Sequence, residues 1–270
     1  PIGRSILGIL VLIALVVAGI RYANGIGAIS NLSDGRAWGL WISFDLYCGV
    51  ALGAGGFVLA GTVYIFRLKK YYPVVRSAIL TAFLGYLLVV FALLVDLGQP
   101  WRIWHAIIYW NVHSPLFEVA WCVILYTTVL ALEFSPALWE KLGWEMPLRI
   151  VRAIQIPLVI AGIVLSTMHQ SSLGSMLLMM QDSLNRLWYT PILPILFLVS
   201  AIGVGLAMTI IEATLSGREF GHNTSLEIVS GLGRAIPYVL GIYLVLKLGD
   251  ILLAGEFGLI FSQGRYSALW

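Results

Sequence analysis

Seven separate runs of about 20 apolar residues dominate this chain, and each is long enough to cross the hydrocarbon core of a bilayer as a helix. They fall at about 5–21, 38–66, 77–97, 115–134, 153–170, 190–214 and 233–253. A chain with that pattern has few soluble folds open to it. Only 11% of its residues are charged, against roughly 25% in soluble domains, and its mean hydropathy is +0.94. The expected fold is all-α, a polytopic transmembrane helix bundle forming one membrane-embedded domain over 1–270. The first run continues to Arg21 without a clear small-residue cleavage site, so it reads as a retained span rather than a signal peptide. The tail from Glu256 to Trp270 has only a short apolar patch, and it reads either as an interfacial segment or as the end of a fragment cut short at its C-terminus.

The net charge of +3 is small, and in a membrane protein it reflects loop cations that set orientation rather than nucleic-acid binding. Nine of the 16 Lys and Arg residues fall at the N-terminus and in the even-numbered loops: Arg4, Arg67, Lys69, Lys70, Arg76, Lys141, Arg149, Arg152 and Arg218. Five fall in the odd-numbered loops, namely Arg21, Arg36, Arg102, Arg186 and Arg265, while Arg234 and Lys247 lie in the seventh span. This bias predicts a cytoplasmic N-terminus and puts segment 96–114 on the outer side.

That segment, DLGQPWRIWHAIIYWNVHS, is a polar and aromatic island in a greasy chain. Gly98 and Pro100 end the third span, leaving Asp96 on its last turn beside a loop with Gln99, Trp101, Arg102, His105 and Tyr109. A carboxylate near an imidazole can exchange protons near neutral pH. The tryptophans equally suit an interfacial belt. His169, followed by Gln170, Ser171 and Ser172, is placed where the fifth span meets the same outer face, a spot suited to a ligand head group. Lys247 and Asp250, three apart and so on one face of the seventh span, complete the set. Charges in a bilayer are costly and face cavities or partners. Their recurrence at one depth in several spans suggests one polar pocket near the outer face.

Asp45, Glu118, Glu133, Glu212, Glu227 and Arg234 are candidates for a proton path. Glu133 and Glu212, with Glu140, Lys141, Glu145, Arg218 and Glu219, also read as ordinary solvated helix ends. Cys48 and Cys122 form no ligand pair and read as small buried hydrophobes. Gly49, Gly53 and Gly56 have the spacing of close helix packing, not of a nucleotide loop. Pro147, Pro157, Pro191, Pro194 and Pro237 start or kink helices. Of the four histidines only His169 is near a helix body, which disfavours a bis-histidine haem, and no cysteine cluster could hold an iron–sulfur centre.

Several stretches together resemble a known family. They are NLSDGRAWGLWISFDLYCGVALGAGGF, YYPVVRSAILTAFLGY, SPLFEVAWCVILYTTVLALEFSPALWEKLGW, STMHQSSLGSM and the Leu187-Trp188-Tyr189-x-Pro191 entry to the sixth span. All are similar to the NrfD/PsrC family of membrane quinone-reactive subunits, whose members include the integral subunits of periplasmic nickel–iron hydrogenases. The resemblance implies eight to ten spans in the full protein. It implies menaquinone or ubiquinone bound near the periplasmic face, with no haem and no iron–sulfur cluster in this chain. It also implies a periplasmic ferredoxin-like iron–sulfur partner, a catalytic subunit such as a hydrogenase, and residence in a bacterial or archaeal cytoplasmic membrane. By position Asp96, His105 and His169 match polar positions around the family's quinone pocket. Gln99, Arg102 and Tyr109 align less surely, and Lys247 with Asp250 matches a basic–acidic pair. The residues alone leave two other readings open, an ion or solute transporter using the buried carboxylates and a haem b electron carrier.

Overall fold

The computed structural model describes residues 2–33, 43–179, 184–221 and 225–261. All seven expected spans are helices long and apolar enough to cross a membrane, and the chain is a multi-pass integral membrane protein. The helices are α1 (Ile2–Asn24), α2 (a composite over 43–65), α3 (Tyr72–Asp96), α4 (Pro115–Leu142), α5 (Gln155–Leu178), α6 (Leu193–Phe220) and α7 (Leu226–Leu253). A nine-residue helix, Glu145–Ala153, joins α4 to α5.

Contacts at the two ends fix which termini share a side. At one end, which carries most of the cations, Arg76 at the start of α3 and Arg152 before α5 both bond Glu140 near the end of α4. At the same end Gln155 bonds the Tyr64 hydroxyl at the end of α2 (2.8 Å). This is the basic end. At the opposite end Arg21, in the last turn of α1, is 3% exposed and donates to the carbonyls of Val95 and Leu97 that close α3. Trp121 of α4 bonds the Ala106 carbonyl in the loop after α3 (2.9 Å).

α2 is the most enclosed span, with 61% of its window buried, against 6% for α1 and 11% for α7. It is not a regular α-helix. Wider π-type turns, Ser43–Gly49 and Gly61–Ile65, flank its α-helical middle. The expected packing role of its glycines holds, with partners the spacing could not name. A methyl group on Gly55 would lie 2.6 Å from Thr209 Oγ1 and 2.7 Å from the Gly205 carbonyl oxygen, and one on Gly56 would lie 2.8 Å from Ala82 Cβ. Small residues thus let α2 touch α6 and α3 backbone to backbone, as membrane helices do where no water drives their association.

Three helices run six or more residues further at their C-terminal ends than the sequence suggested. α4 continues to Leu142 and ends at Gly143 (φ 70°). α6 continues to Phe220 and ends at Gly221, also at φ 70°, a conformation that glycine adopts without strain. α5 continues to Leu178, eight residues past the expected limit at 170. Pro136 and Pro237 lie within α4 and α7, while Pro194 sits in the first turn of α6.

Candidate functional site

The extension of α5 moves His169. It stands nine residues before the end of its helix and 14 after the start, within the body of the helix rather than at its end, and it is 0% exposed. Its Nδ1 lies 2.9 Å from the Tyr86 hydroxyl of α3. Its Nε2 is buried with no hydrogen-bond partner. Tyr86 packs edge-on against Tyr126 of α4, with ring centroids 4.7 Å apart. The Tyr126 hydroxyl and Ser166 Oγ are buried beside it; Ser166 is close to both tyrosine hydroxyls but makes no well-formed hydrogen bond to either. Burying a polar atom unpaired costs roughly 1–3 kcal/mol, so several together mark a place built to meet water or a ligand.

This cluster extends both ways along α4 and α5. Toward the far end, Ser172 lies three residues beyond His169 and so on the same face, and its hydroxyl donates to Glu118 Oε1 at 2.5 Å. Glu118 is in the first turn of α4, as expected. Toward the basic end stands Glu133. It is not a solvated helix end, because α4 runs nine residues further. Its Oε1 is buried without a hydrogen-bond partner. Gly162 fills the interval between Glu133 and Tyr126. A methyl group there would meet Glu133 Oε1 at 3.5 Å and the Tyr126 ring at 3.8 Å. Glu118, Ser172, His169, Tyr86, Tyr126, Ser166 and Glu133 therefore form one polar column inside the bundle, between α3, α4 and α5.

Glu133 opens on a cavity of about 350 Å³ at the basic end, lined also by Tyr64, Tyr72, Arg76, Glu140, Arg152 and Gln155. A second cavity, about 740 Å³ and almost wholly apolar, lies between α3 and α4 toward the far end. Phe83, Leu87, Val123 and Thr127 wall it, and Arg102 with Ile103 and Ala106 of the loop stands at its side. α3 and α4 supply this wall from one face, and Tyr86 and Tyr126 to the column from another.

The other expected site residues are dispersed, and among the described residues no single polar pocket gathers them. Asp96 is buried at the end of α3 and faces Ile26, Ile29, Ser30 and Leu32 of the loop after α1. His105 begins a one-turn helix and stacks edge-on against Trp104 (4.2 Å) and Tyr109 (5.0 Å). Trp101 and Tyr109 are 66% and 65% exposed, as in an interfacial belt, and Gln99 is an exposed loop residue. Gln170 turns from the column: its Nε2 donates to the Val50 carbonyl (3.2 Å) and ties α5 to α2. Ser171 bonds back to the Met168 carbonyl of its own helix.

Asp250 accepts a hydrogen bond from Thr190 (2.6 Å). Among the described residues no ion pair joins it to Lys247, which is 5% exposed. Glu212 is half-buried on α6, with Oε2 out of solvent and no hydrogen-bond partner; α6 runs eight residues past it, so it too is no solvated end. Glu227 and Arg234 are exposed on α7. The backbone at Asp45 is in the first π-type turn of α2, while its side chain lies outside the described residues. Sequence reasoning missed Tyr86, Tyr126, Ser166 and Gly162. Their signal was present in the helical spacing of Glu118, Tyr126 and Glu133 on α4, and of Gly162, Ser166 and His169 on α5.

A bundle of apolar spans enclosing a column of titratable side chains beside an apolar cavity defines a class, the membrane-embedded subunits that handle protons or lipophilic carriers. Comparison with known proteins makes the assignment specific. The family model for polysulphide reductase, NrfD, matches residues 29–261, and the chain belongs to that family. It is 42% identical to a protein of Nitratidesulfovibrio vulgaris over 99% of this chain and 71% of the relative. It is 34% identical to the probable Ni/Fe-hydrogenase 2 b-type cytochrome subunit of Escherichia coli, over 98% of this chain and 69% of the relative. It is 33% identical to the integral membrane subunit of menaquinone reductase from N. vulgaris, over 90% of this chain and 60% of the relative. No solved structure matches the chain.

Proposed function

We propose that this chain is the quinone-reactive membrane subunit of an oxidoreductase complex. The observation that carries the reading is His169: enclosed within the bundle, tied through one ring nitrogen to Tyr86 and open at the other, behind the α3–α4 wall of the apolar cavity. A quinone takes up two electrons and two protons on reduction, and it needs apolar walls with a few polar groups. The 740 Å³ cavity is of the size small-molecule sites have, its lining suits a ring and an isoprenoid tail, and Arg102 offers donors at its side. Relatives named for a menaquinone reductase and a selenate reductase support a redox role.

Protons reach this site from the column. His169 and Tyr86 can pass a proton along their hydrogen bond. Ser166, Tyr126 and the gap at Gly162 lead to Glu133 and the cavity at the basic end. The excess of cations there makes it the cytoplasmic side, so quinone reduction draws protons across part of the membrane. Electrons enter at the far end, from an iron–sulfur partner docked over the Trp101–Trp110 loop and fed by a catalytic subunit such as a hydrogenase. Leu97 and Ala106, the chain neighbours of Asp96 and His105, line the cavity, and Asp96 and His105 act at its far-end approach. The setting is the cytoplasmic membrane of a bacterium or archaeon.

The test is quinone turnover by the purified complex carrying Asp96→Asn or His169→Ala. Loss with His169→Ala supports the column; undiminished turnover in the double variant removes both residues from the site. One observation favours a second reading. A relative bears the name of a b-type cytochrome subunit, and His169 Nε2 is open. A second axial imidazole facing it is not found among the described residues, where His105 and His113 lie in the loop after α3. A Soret band with a reducible α-band in the purified chain establishes the haem reading instead. Transport through the carboxylates is distinguished by solute or ion flux without any redox partner.

A further inference from the structure

The helix Glu145–Ala153 is too short to span anything, and its residues sort onto three faces. Val151 is buried against the bundle. Met146 and Ile150, one turn apart, are 75% and 54% exposed. Arg149 and Arg152 occupy the remaining side. Trp144, just before it, lies flat on Trp139 of α4, with ring centroids 5.4 Å apart and planes 8° apart. A short helix with an uncovered apolar stripe, flanking arginines and a tryptophan pair lies in the membrane–water interface.

Behind that helix is the 350 Å³ cavity. Its mouth holds Arg76, Arg152 and Glu140. Glu140 accepts from Nη1 and Nη2 of Arg76 (both 3.3 Å) and from Nη2 of Arg152 (2.7 Å). At the mouth one carboxylate thus faces two guanidinium groups, a local excess of one positive charge, while the second carboxylate of the lining, Glu133, is set deeper. Each guanidinium has five N–H donors, so Nε of Arg76 and both Nε and Nη1 of Arg152 remain available after Glu140 is served. Below the mouth the lining turns apolar with Ile79, Phe134, Ala137, Leu158 and Val159. Glu133 lies seven residues along α4 from Glu140, about 10 Å deeper, clear of a group held at the mouth.

We propose that this cavity is a binding site for one anionic glycerophospholipid of the adjoining leaflet. The phosphodiester sits between Arg76 and Arg152, where its single negative charge meets the uncompensated positive one, and an acyl chain enters the apolar part between α3 and α4. The Met146–Ile150 stripe and the Trp139–Trp144 pair hold the rim at headgroup depth. Neutral lipid lacks the net charge, and free phosphate lacks the chain. This seat does not depend on the quinone reading.

Native mass spectrometry of the detergent-purified protein, titrated with dioleoyl phosphatidylglycerol, dioleoyl phosphatidylcholine and inorganic phosphate, tests it. The expected result is one phosphatidylglycerol retained at a concentration on the order of tenfold lower than phosphatidylcholine. That preference vanishes in R76Q/E140Q/R152Q, where amides replace the charges and can still bond one another. It falls part-way in Arg152→Gln, which leaves the Arg76–Glu140 pair to hold the fold. It persists in Arg149→Gln, which is outside the cavity lining. Equal retention of the two lipids, an unchanged preference in the triple variant, or displacement of phosphatidylglycerol by equimolar phosphate overturns the proposal. Turnover is not read, so failure here and failure of the quinone assignment are told apart.

Discussion

Gly162 shows how much a single missing side chain can matter inside a membrane. The space above its Cα is bounded by Val129 Cγ1 (3.4 Å), Glu133 Oε1 (3.5 Å) and the Tyr126 ring (3.8 Å). Alanine fits those distances. Valine does not, and overpacking a filled interior costs about 1–3 kcal/mol. Gly162→Ala is therefore expected to be near neutral in thermal melting, and Gly162→Val to melt lower and to slow proton uptake into proteoliposomes during quinone reduction. A Gly162→Val variant with undiminished uptake would remove the gap from the proton route. At Tyr86 the expectation differs. Tyr86→Phe keeps the ring against Tyr126 but leaves His169 Nδ1 without its hydroxyl. It should cost about 1–3 kcal/mol of stability, read by thermal or denaturant unfolding, and an unchanged melt would mean the bond contributes nothing.

The helices explain which parts of this arrangement were legible in the sequence. All seven spans could be placed because a bilayer demands a long apolar run whatever surrounds it. Helix ends could not, because polar residues read as loops when their partners are unknown. Ser171, Ser172 and Ser175 look like the exit of α5. Each hydroxyl instead lies within hydrogen-bond reach of a carbonyl of its own helix, Met168 for the first two and Ser171 for the third, with the single proton of Ser172 shared between Met168 and Glu118, so the helix absorbs them and continues. That moved His169 from the expected end of α5 into the body of the helix. Glu133 was misplaced in the same way by a short α4. The tertiary pairings of Tyr86 and Tyr126 depend on which faces of α3, α4 and α5 meet, and a single sequence carries no such record. The crossing of α2 and α6 was legible only in part, as a small-residue spacing in α2. A methyl group on Gly205 would come within 2.4 Å of Gly55 N. Gly205→Ala must push two backbones apart and should lower thermal stability by about 3 kcal/mol. A melting temperature equal to that of the wild type would show that the crossing is looser than described.

The whole molecule divides into a rigid middle and two open flanks. α2 to α6 enclose the column and both cavities, while α1 and α7 expose most of their surface, α1 being held chiefly through Arg21 and Tyr22 on the end of α3. The far end presents a belt of Trp101, Trp104, Tyr109 and Trp110 for a partner to meet, and the basic end presents the arginine cavity. In the proposed function, electrons and protons approach from opposite sides and converge on the α3–α4–α5 core, an arrangement that would charge the membrane as a quinone is reduced. His169 is the point on which this account turns. The direct measurement is steady-state menaquinone-analogue reduction by the intact complex carrying His169→Ala, with reduction of the partner's metal centres by their own donor followed in parallel. The account predicts normal reduction of those centres and a fall in quinone turnover of about 100-fold, the lower range for loss of a general acid–base group. Quinone turnover within twofold of the wild type, about 0.4 kcal/mol at the barrier, would contradict it.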